Sequence, residues 1–241
     1  MLAVFTDLDN CLLDHDTYDF APALPALDRL RAAHAAVIFT TSKTRAEVEH
    51  WHRQMNLAHP SIVENGGAVI LENGMPVVLG ATREEILPKL RDAAAESGAR
   101  IRGFSSMSLD EIAQRCSMPA ERARFAAARE FSEPFVLESP TLEDALRAAM
   151  SARGLSLTRG GRFHHALAHE GKHAGVGYLL SLWRAAGSQV TSIGIGDAPN
   201  DEGFLALVDY PVRLTPDGAG PSAWNCAVIH HLDAHVSFFR Q

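Results

Sequence analysis

Two carboxylates stand one residue apart near the start of the chain, Asp7 and Asp9, directly after the apolar stretch Leu2–Thr6. Carboxylates this close repel, and without a cation one of them holds its proton. A hard divalent ion removes that cost, and Mg2+ takes one or two carboxylates together with water and substrate phosphate oxygens. Further polar groups close other apolar stretches. Thr41 ends Ala36–Thr41, and Asp197 follows Val190–Ile195 within Gly196-Asp197-Ala198-Pro199-Asn200-Asp201. Lys172 follows Gly171, at the expected start of a helix, where a lysine can neutralise phosphate as a point charge. A single Asp at such a place commonly makes turn hydrogen bonds, and Asn200 and Asp201 taken alone read equally well as helix caps. Taken together, the four polar strand ends point to one site for a metal and a phosphate.

The elements between them decide whether these groups can meet. Apolar runs alternate with helical patterns, the signature of an α/β sheet. Leu2–Thr6 and Ala36–Thr41 read as strands, with helices over Leu24–Ala33 (Leu24, Leu27 and Leu30 on one face) and from Arg45 to Asn56 (Val48, Trp51, Met55). Ile62-Val63 and Ala68–Leu71 are short strands, and Asn73-Gly74 before Pro76–Leu79 is a hairpin turn. The pattern then changes. Thr82-Arg83-Glu84-Glu85 opens a helix to about Gly98 that contains Pro88, and strands are expected at Ile101–Phe104, Phe131–Val136, Leu155–Thr158 and Arg162–Ala168. Helices opened by Ser108 and Thr141 lie between them. After Gly171 come a helix over His173–Ala186, a strand Val190–Ile195, a short helix after Asn200, and strands near Pro211–Leu214 and Ala227–His230. The expectation is a core of residues 1–80 and 171–241 with an inserted α+β layer of residues 81–170. In an open parallel sheet ligands bind beyond the carboxyl ends of the strands. Asp7, Asp9, Thr41 and Asp197 therefore converge on one edge, and the period of two in Asp7-Leu8-Asp9 lets both carboxylates face it while Leu8 anchors inward.

Composition excludes several other classes. In 241 residues, 46% are hydrophobic and 21% charged, as in ordinary globular proteins. A formal charge of −7 with scattered Lys and Arg disfavours a nucleic-acid groove. The apolar runs fall far short of a membrane span. The start Met1-Leu2-Ala3-Val4-Phe5 meets acidic residues without a basic stretch, so no signal peptide is expected. Three scattered cysteines, Cys11, Cys116 and Cys226, fit reduced thiols in a cytoplasm. His169-Glu170-Gly171-Lys172-His173 matches the H-E-x-x-H letters of zinc peptidases. Gly171 interrupts the helix that this motif needs, and no third ligand is placed. His164-His165 and the His230-His231-x-x-x-His235 group read as surface or substrate-lining residues rather than metal ligands.

The set Asp7-Leu8-Asp9, Thr41, Lys172 and Gly196-Asp197-x-x-Asn200-Asp201 resembles the four motifs of the haloacid dehalogenase (HAD) superfamily. The position of residues 81–170 between the second and third motifs resembles the sugar-phosphatase branch with a C2-type cap. Closer similarity, to the mannosyl-3-phosphoglycerate phosphatase family, lies in Thr41-Ser42-Lys43-Thr44-Arg45-Ala46-Glu47, Glu64-Asn65-Gly66-Gly67, Ser132-Glu133-Pro134-Phe135, Gly161-Arg162-Phe163-His164-His165-Ala166-Leu167 and Gly171-Lys172-x-x-Gly175-Val176. The resemblance implies a HAD-like Rossmannoid parallel-sheet core, a cap, and a cytoplasmic Mg2+-dependent phosphatase that makes mannosylglycerate, a compatible solute. It further implies Asp7 as nucleophile through an aspartyl-phosphate, Asp9 as acid and base, and Thr41 and Lys172 on the nonbridging oxygens. The metal ligands implied are Asp7, the carbonyl of Asp9 and Asp197, with Asp201 on Lys172 or a metal-bound water. Ser42, Lys43, Thr44 and Arg45 are expected at the glycerate end, where a cation and hydroxyls are available, with helix capping the other reading of Thr44. Glu133, Arg162 and His164 are expected at the sugar, because a cap must close over the ester to exclude water. Cys11 stands where the family often has Thr or Ser, which weakens a local turn contact without removing a reacting group.

The substrate is a small phosphorylated sugar-glycerate on this reading, with neither nucleic acid nor membrane as partner. Three alternatives stay open: a phosphatase of glucosyl-3-phosphoglycerate or of hexose phosphates generally, a phosphomutase with a longer-lived aspartyl-phosphate, and a silent phosphosugar-binding protein.

Overall fold

The computed structural model describes residues 1–159, 163–215 and 218–234. Strand β1 (Leu2–Thr6) is buried at all five positions, as expected for a strand covered on both faces. It pairs in parallel with β2 (Ala36–Thr40) on one side and β10 (Thr191–Gly196) on the other. The full sheet is ordered β11-β10-β1-β2-β3-β4-β5, with β3 (Ser61–Val63) and β11 (Tyr210–Arg213) also parallel and β4 (Ala68–Ile70) and β5 (Pro76–Val78) closing it as the antiparallel hairpin around Asn73-Gly74. Because β1, β2 and β10 are neighbours running the same way, the residues after them share one edge.

The period of two along β1 sorts its side chains between two cores. Leu2 and Val4 join Val37, Phe39, Ile193 and Ile195 under α1 (Leu24–Ala32), α2 (Arg45–Met55) and α9 (Pro221–Ala234). Ala3 and Phe5 join Ile38, Ile62 and Val69 under α7 (Lys172–Ala185) and α8 (Glu202–Leu205). The strand expected at Ala227–His230 is part of α9. Its short apolar run suits either period, and the wider spacing Trp224, Val228, Leu232, all buried, is helical. Trp224 Nε1 also donates to Thr6 Oγ1 at 2.9 Å, tying α9 to the end of β1. On α1 the buried residues are Ala26, Leu27 and Leu30, while Leu24 is exposed.

A second, antiparallel sheet is ordered β6-β7-β9-β8, from β6 (Ile101–Gly103), β7 (Glu133–Leu137), β8 (Ser156–Arg159) and β9 (His164–Leu167). Helices α3 (Arg83–Ser97) and α6 (Glu143–Ser151) cover one face through Ile86, Leu90, Leu146 and Met150 packed on Phe135, Leu157 and Ala166. Helix α4 (Leu109–Cys116) is capped by Ser108, as its spacing predicts, and α5 (Ala120–Ala127) follows it unanticipated. The helix expected to open at Thr141 instead starts at Glu143 behind a 3-10 turn over Pro140–Leu142, and no capping box forms there. Arg162 lies outside the described residues, and no described helix is long and apolar enough to cross a membrane.

Polar contacts join the two layers. The buried Glu64 carboxylate accepts the N–H groups of Glu130 and Phe131 at 2.8 and 3.2 Å and the Ser132 hydroxyl at 2.5 Å. Arg129 Nη1 donates to Ser42 O at 2.7 Å, and Thr44 Oγ1 to Phe125 O at 2.8 Å. Gly66, two residues after Glu64 in the chain, has φ +99°, and a Cβ there would lie 2.2 Å from Gly171 O, so only glycine fits that crossing.

One stability consequence follows from α2. His52 packs on Phe39 and shares a hydrogen bond with Ser61 Oγ at 3.1 Å, and burial lowers its pKa from 6.5 to about 4. The unfolded chain therefore binds a proton there between pH 6.5 and 4 that the folded chain does not. The stability contributed is complete above 6.5 and is lost as pH falls toward 4. His52→Gln, which keeps a polar group for Ser61 and does not titrate, is expected to flatten the pH dependence of the urea midpoint between 6.5 and 4.5. An identical slope in both proteins would contradict this assignment.

Candidate active site

Asp7 extends the β1–β10 pairing by one step, its N–H donating to Ile195 O at 2.9 Å. Only 8% of the residue is exposed. Its Oδ1 accepts the Leu8 N–H at 2.8 Å and lies 3.0 Å from Lys172 Nζ. Lys172, the first residue of α7, is 1% exposed and also reaches Asp201 Oδ1 at 2.7 Å. Asp201 Oδ2 takes the N–H groups of Asp197 and Ala198, both at 3.0 Å, which shapes the turn after β10. Burial works against the Lys172 ammonium, but Asp201 and Asp7 outweigh it and raise its pKa. Burial pushes the Asp7 carboxyl up to about 7 against the pull of Lys172, with Asp201 and Asp9 adding to the rise.

Asp197 is half-buried beside Asp7, and burial raises its pKa as well. Asn10 Nδ2 donates to its Oδ2 at 2.8 Å and Cys11 Sγ to its Oδ1 at 3.4 Å. Burial, with Asp7 and Asp197 nearby, pushes the Cys11 thiol up, so it remains a donor. Ligand atoms of Asp7, Cys11 and Asp197 all lie within 4.8 Å of one another. Two carboxylates whose pKa values are raised, crowded at a sheet edge, suit a hard cation that would restore their ionised form. Asp201, expected on Lys172 or a metal-bound water, has its oxygens on Lys172 and on backbone N–H groups, so it positions rather than ligates.

Asp9 differs from Asp7 in exposure. Its side chain is 40% exposed, and Lys43 Nζ meets its Oδ1 at 2.8 Å. Lys43 is itself buried between Asp9, Glu47 Oε1 at 3.7 Å and the Tyr18 ring at 5.0 Å. Thr41 stands immediately after β2, fully buried, with its N–H on Ile62 O and its Oγ1 accepting the Lys43 N–H at 3.2 Å. A cavity of about 180 Å3 opens over Asp9, Ser42 and Lys43, roofed from the second layer by Phe104, Arg129, Phe163 and His165.

Several expected substrate contacts lie elsewhere. Thr44 caps α2 in a capping box with Glu47 and is wholly buried, so its hydroxyl serves the helix and Phe125 O. Arg45 pairs along the helix with Glu49 at 3.0 Å, away from the cavity lining. Glu133 is buried against Arg83 at 2.7 Å and accepts the Ser105 N–H, holding the second layer together. His164 stacks on Phe135 and pairs with Glu143 at 3.3 Å, on the face of β9 opposite His165. Strand alternation was the signal available here: with Ala166 placed in the core, His164 shares its face and His165 takes the other. Arg129 and Tyr18 had no such signal, since loops deliver both.

No family model matches the chain. Among known proteins it is 32% identical to a glucosyl-3-phosphoglycerate/mannosyl-3-phosphoglycerate phosphatase of Methanococcoides burtonii, over 94% of this chain and 95% of the relative. A protein of the same name from Persephonella marina is 31% identical over 88% of this chain and 84% of its own length. The chain belongs to this phosphatase family. The family is one of phosphoric monoester hydrolases, and the fold agrees with it. A phosphatase of the HAD superfamily from Bacteroides thetaiotaomicron superposes with a TM-score of 0.70 at 16% identity, over 95% of this chain and 94% of that one. A HAD subclass IIB sugar phosphatase superposes at 0.62 and 14% identity, over 96% and 99%.

Proposed function

We propose that the protein hydrolyses glycosyl-3-phosphoglycerates, mannosyl-3-phosphoglycerate among them, to the glycosylglycerate and inorganic phosphate. The observation that carries the mechanism is the contrast between neighbours: Asp7 is buried against Lys172 while Asp9, two residues on, faces the cavity. That contrast separates a nucleophile from an acid and base.

In the first step an Asp7 oxygen attacks phosphorus in line, forming an aspartyl-phosphate as the bond to the glycerate oxygen breaks. Asp9 gives its proton to that leaving oxygen. In the second step Asp9 takes a proton from water, the water oxygen bonds to phosphorus, and Asp7 leaves as a carboxylate with phosphate released. Thr41 and Lys172 hold the nonbridging oxygens, and Asp201 positions Lys172. Asp7, Asp197 and the carbonyl of Asp9 would hold Mg2+, which when bound neutralises charge between an anionic nucleophile and an anionic phosphate. Ser42 and Lys43 take the glycerate end, since both line the cavity beside Asp9. Residues 81–170 act as a cap on a core of residues 1–80 and 171–241, excluding water from the ester. Three cysteines scattered along the chain, Cys11, Cys116 and Cys226, support a cytoplasmic setting, where a glycosylglycerate would serve as a compatible solute.

Phosphate release from mannosyl- and glucosyl-3-phosphoglycerate, beside hexose phosphates, with and without chelator, tests this function. Release favouring the phosphoglycerates and abolished by chelator is expected. Equal turnover of every ester would withdraw the substrate, and release undiminished by chelator would withdraw the metal.

A further inference from the structure

The cavity roof contains a polar atom that the protein leaves unused. His165 is 6% exposed, and its Nδ1 has no hydrogen-bond partner among the described residues. It sits on the face of β9 that looks into the cavity, opposite His164, whose imidazole is occupied by Glu143 and Phe135. Pro134, its register partner on β7, lines the same cavity. Phe163, two residues before His165, and Phe104 meet edge to face there, with centroids 5.0 Å apart. Buried polar atoms are paired in folded proteins with few exceptions, so an unpaired imidazole nitrogen on a residue that lines a cavity marks that residue as one a ligand can satisfy.

The chemistry of this wall selects among ligand groups. Burial, helped by the charges of Arg129 and His164, keeps the imidazole neutral, with its pKa lowered to about 3. A neutral imidazole offers one N–H and one lone pair. A phosphate or carboxylate presents only acceptors, and finds a cation on the cavity floor at Lys43. A hydroxyl donates and accepts, and so suits an imidazole nitrogen in either tautomer. Flanking aromatic rings suit the apolar C–H face of a pyranose whose edge carries hydroxyls. We propose that His165 is a specificity residue, its imidazole bonding a hydroxyl of the substrate's glycosyl group beside the Phe104–Phe163 pair. This rests on the glycosyl-phosphoglycerate reading above and adds the group that recognises the sugar.

The test compares two substrates in three proteins: mannosyl-3-phosphoglycerate and 3-phosphoglycerate, which lacks the sugar, with wild type, His165→Leu and His165→Asn. His165→Leu is expected to raise KM for the glycosylated ester at least about 10-fold, the scale of one lost hydroxyl contact, while kcat/KM for bare 3-phosphoglycerate stays within about 2-fold. His165→Asn, which restores a polar atom near the Nδ1 position, is expected to recover part of the loss. Thermal melts accompany each variant. Equal losses on both esters, or no loss on either, would overturn the proposal and leave His165 a packing residue. Wild-type protein that does not prefer the glycosylated ester would instead overturn the function, and with it this assignment. That failure is seen in the unmodified enzyme, whereas the first is seen only between variants.

Discussion

Asp7→Asn is expected to remove phosphate release from every ester, by roughly 10^4-fold or more, while the protein stays folded and continues to bind substrate. An amide has the shape of the carboxyl but is not an effective nucleophile toward phosphorus. The same change is expected to leave the melting temperature equal to or above that of the wild type. The site charges a cost for Asp7: burial raises its pKa to about 7, so the ionised form that the reaction needs is disfavoured in the fold without a bound cation. An asparagine escapes that cost and keeps an oxygen for the Leu8 N–H and Lys172. A loss of activity below 10-fold would remove Asp7 from the nucleophile's role. A large fall in stability together with lost activity would recast it as a folding residue.

Lys172→Met carries the second large effect, on stability and activity together. The ammonium lies 3.0 Å from Asp7 and 2.7 Å from Asp201, at 1% exposure. Removing it leaves two buried carboxylates without their shared cation, at a cost of about 3–5 kcal/mol. Phosphate binding is lost in the same step. The double variant Lys172→Met/Asp201→Asn is expected to recover part of the stability, since one uncompensated charge is gone and the amide oxygen still accepts the Asp197 and Ala198 N–H groups. It should recover no activity. Chemical denaturation of the three proteins checks this, and a single variant as stable as the wild type would contradict the placement of charge described above.

The edge of the sheet was legible because it depends only on strand ends. Leu2–Thr6, the run at Ala36 and the run before Asp197 are buried on both faces, so their continuous apolar patterns mark strands, and parallel neighbours must bring their carboxyl ends together. The substrate wall was less legible because it depends on which way each side chain turns. Thr44 and Arg45 follow directly after Ser42 and Lys43, yet a capping box turns the chain into α2 there and carries both away from the cavity. On β9 one residue separates His164, which packs inside the second layer, from His165, which lines the cavity. Choosing between them needs the face of the strand, and Ala166 and Leu167, both buried, mark opposite faces of it. At α9 a three-residue apolar run could not distinguish the two periods, and only the wider window through Trp224 and Leu232 does so.

On the mechanism proposed, the reaction passes through a covalent bond on one carboxylate, that of Asp7. Protein quenched during turnover of mannosyl-3-phosphoglycerate and reduced with borohydride would convert an acyl phosphate at that carboxylate to the alcohol, and peptide mass spectrometry would locate it. Homoserine is expected at position 7, absent without substrate and absent from the Asp7→Asn protein. Homoserine at another position, or unmodified protein while phosphate is being released, would contradict it.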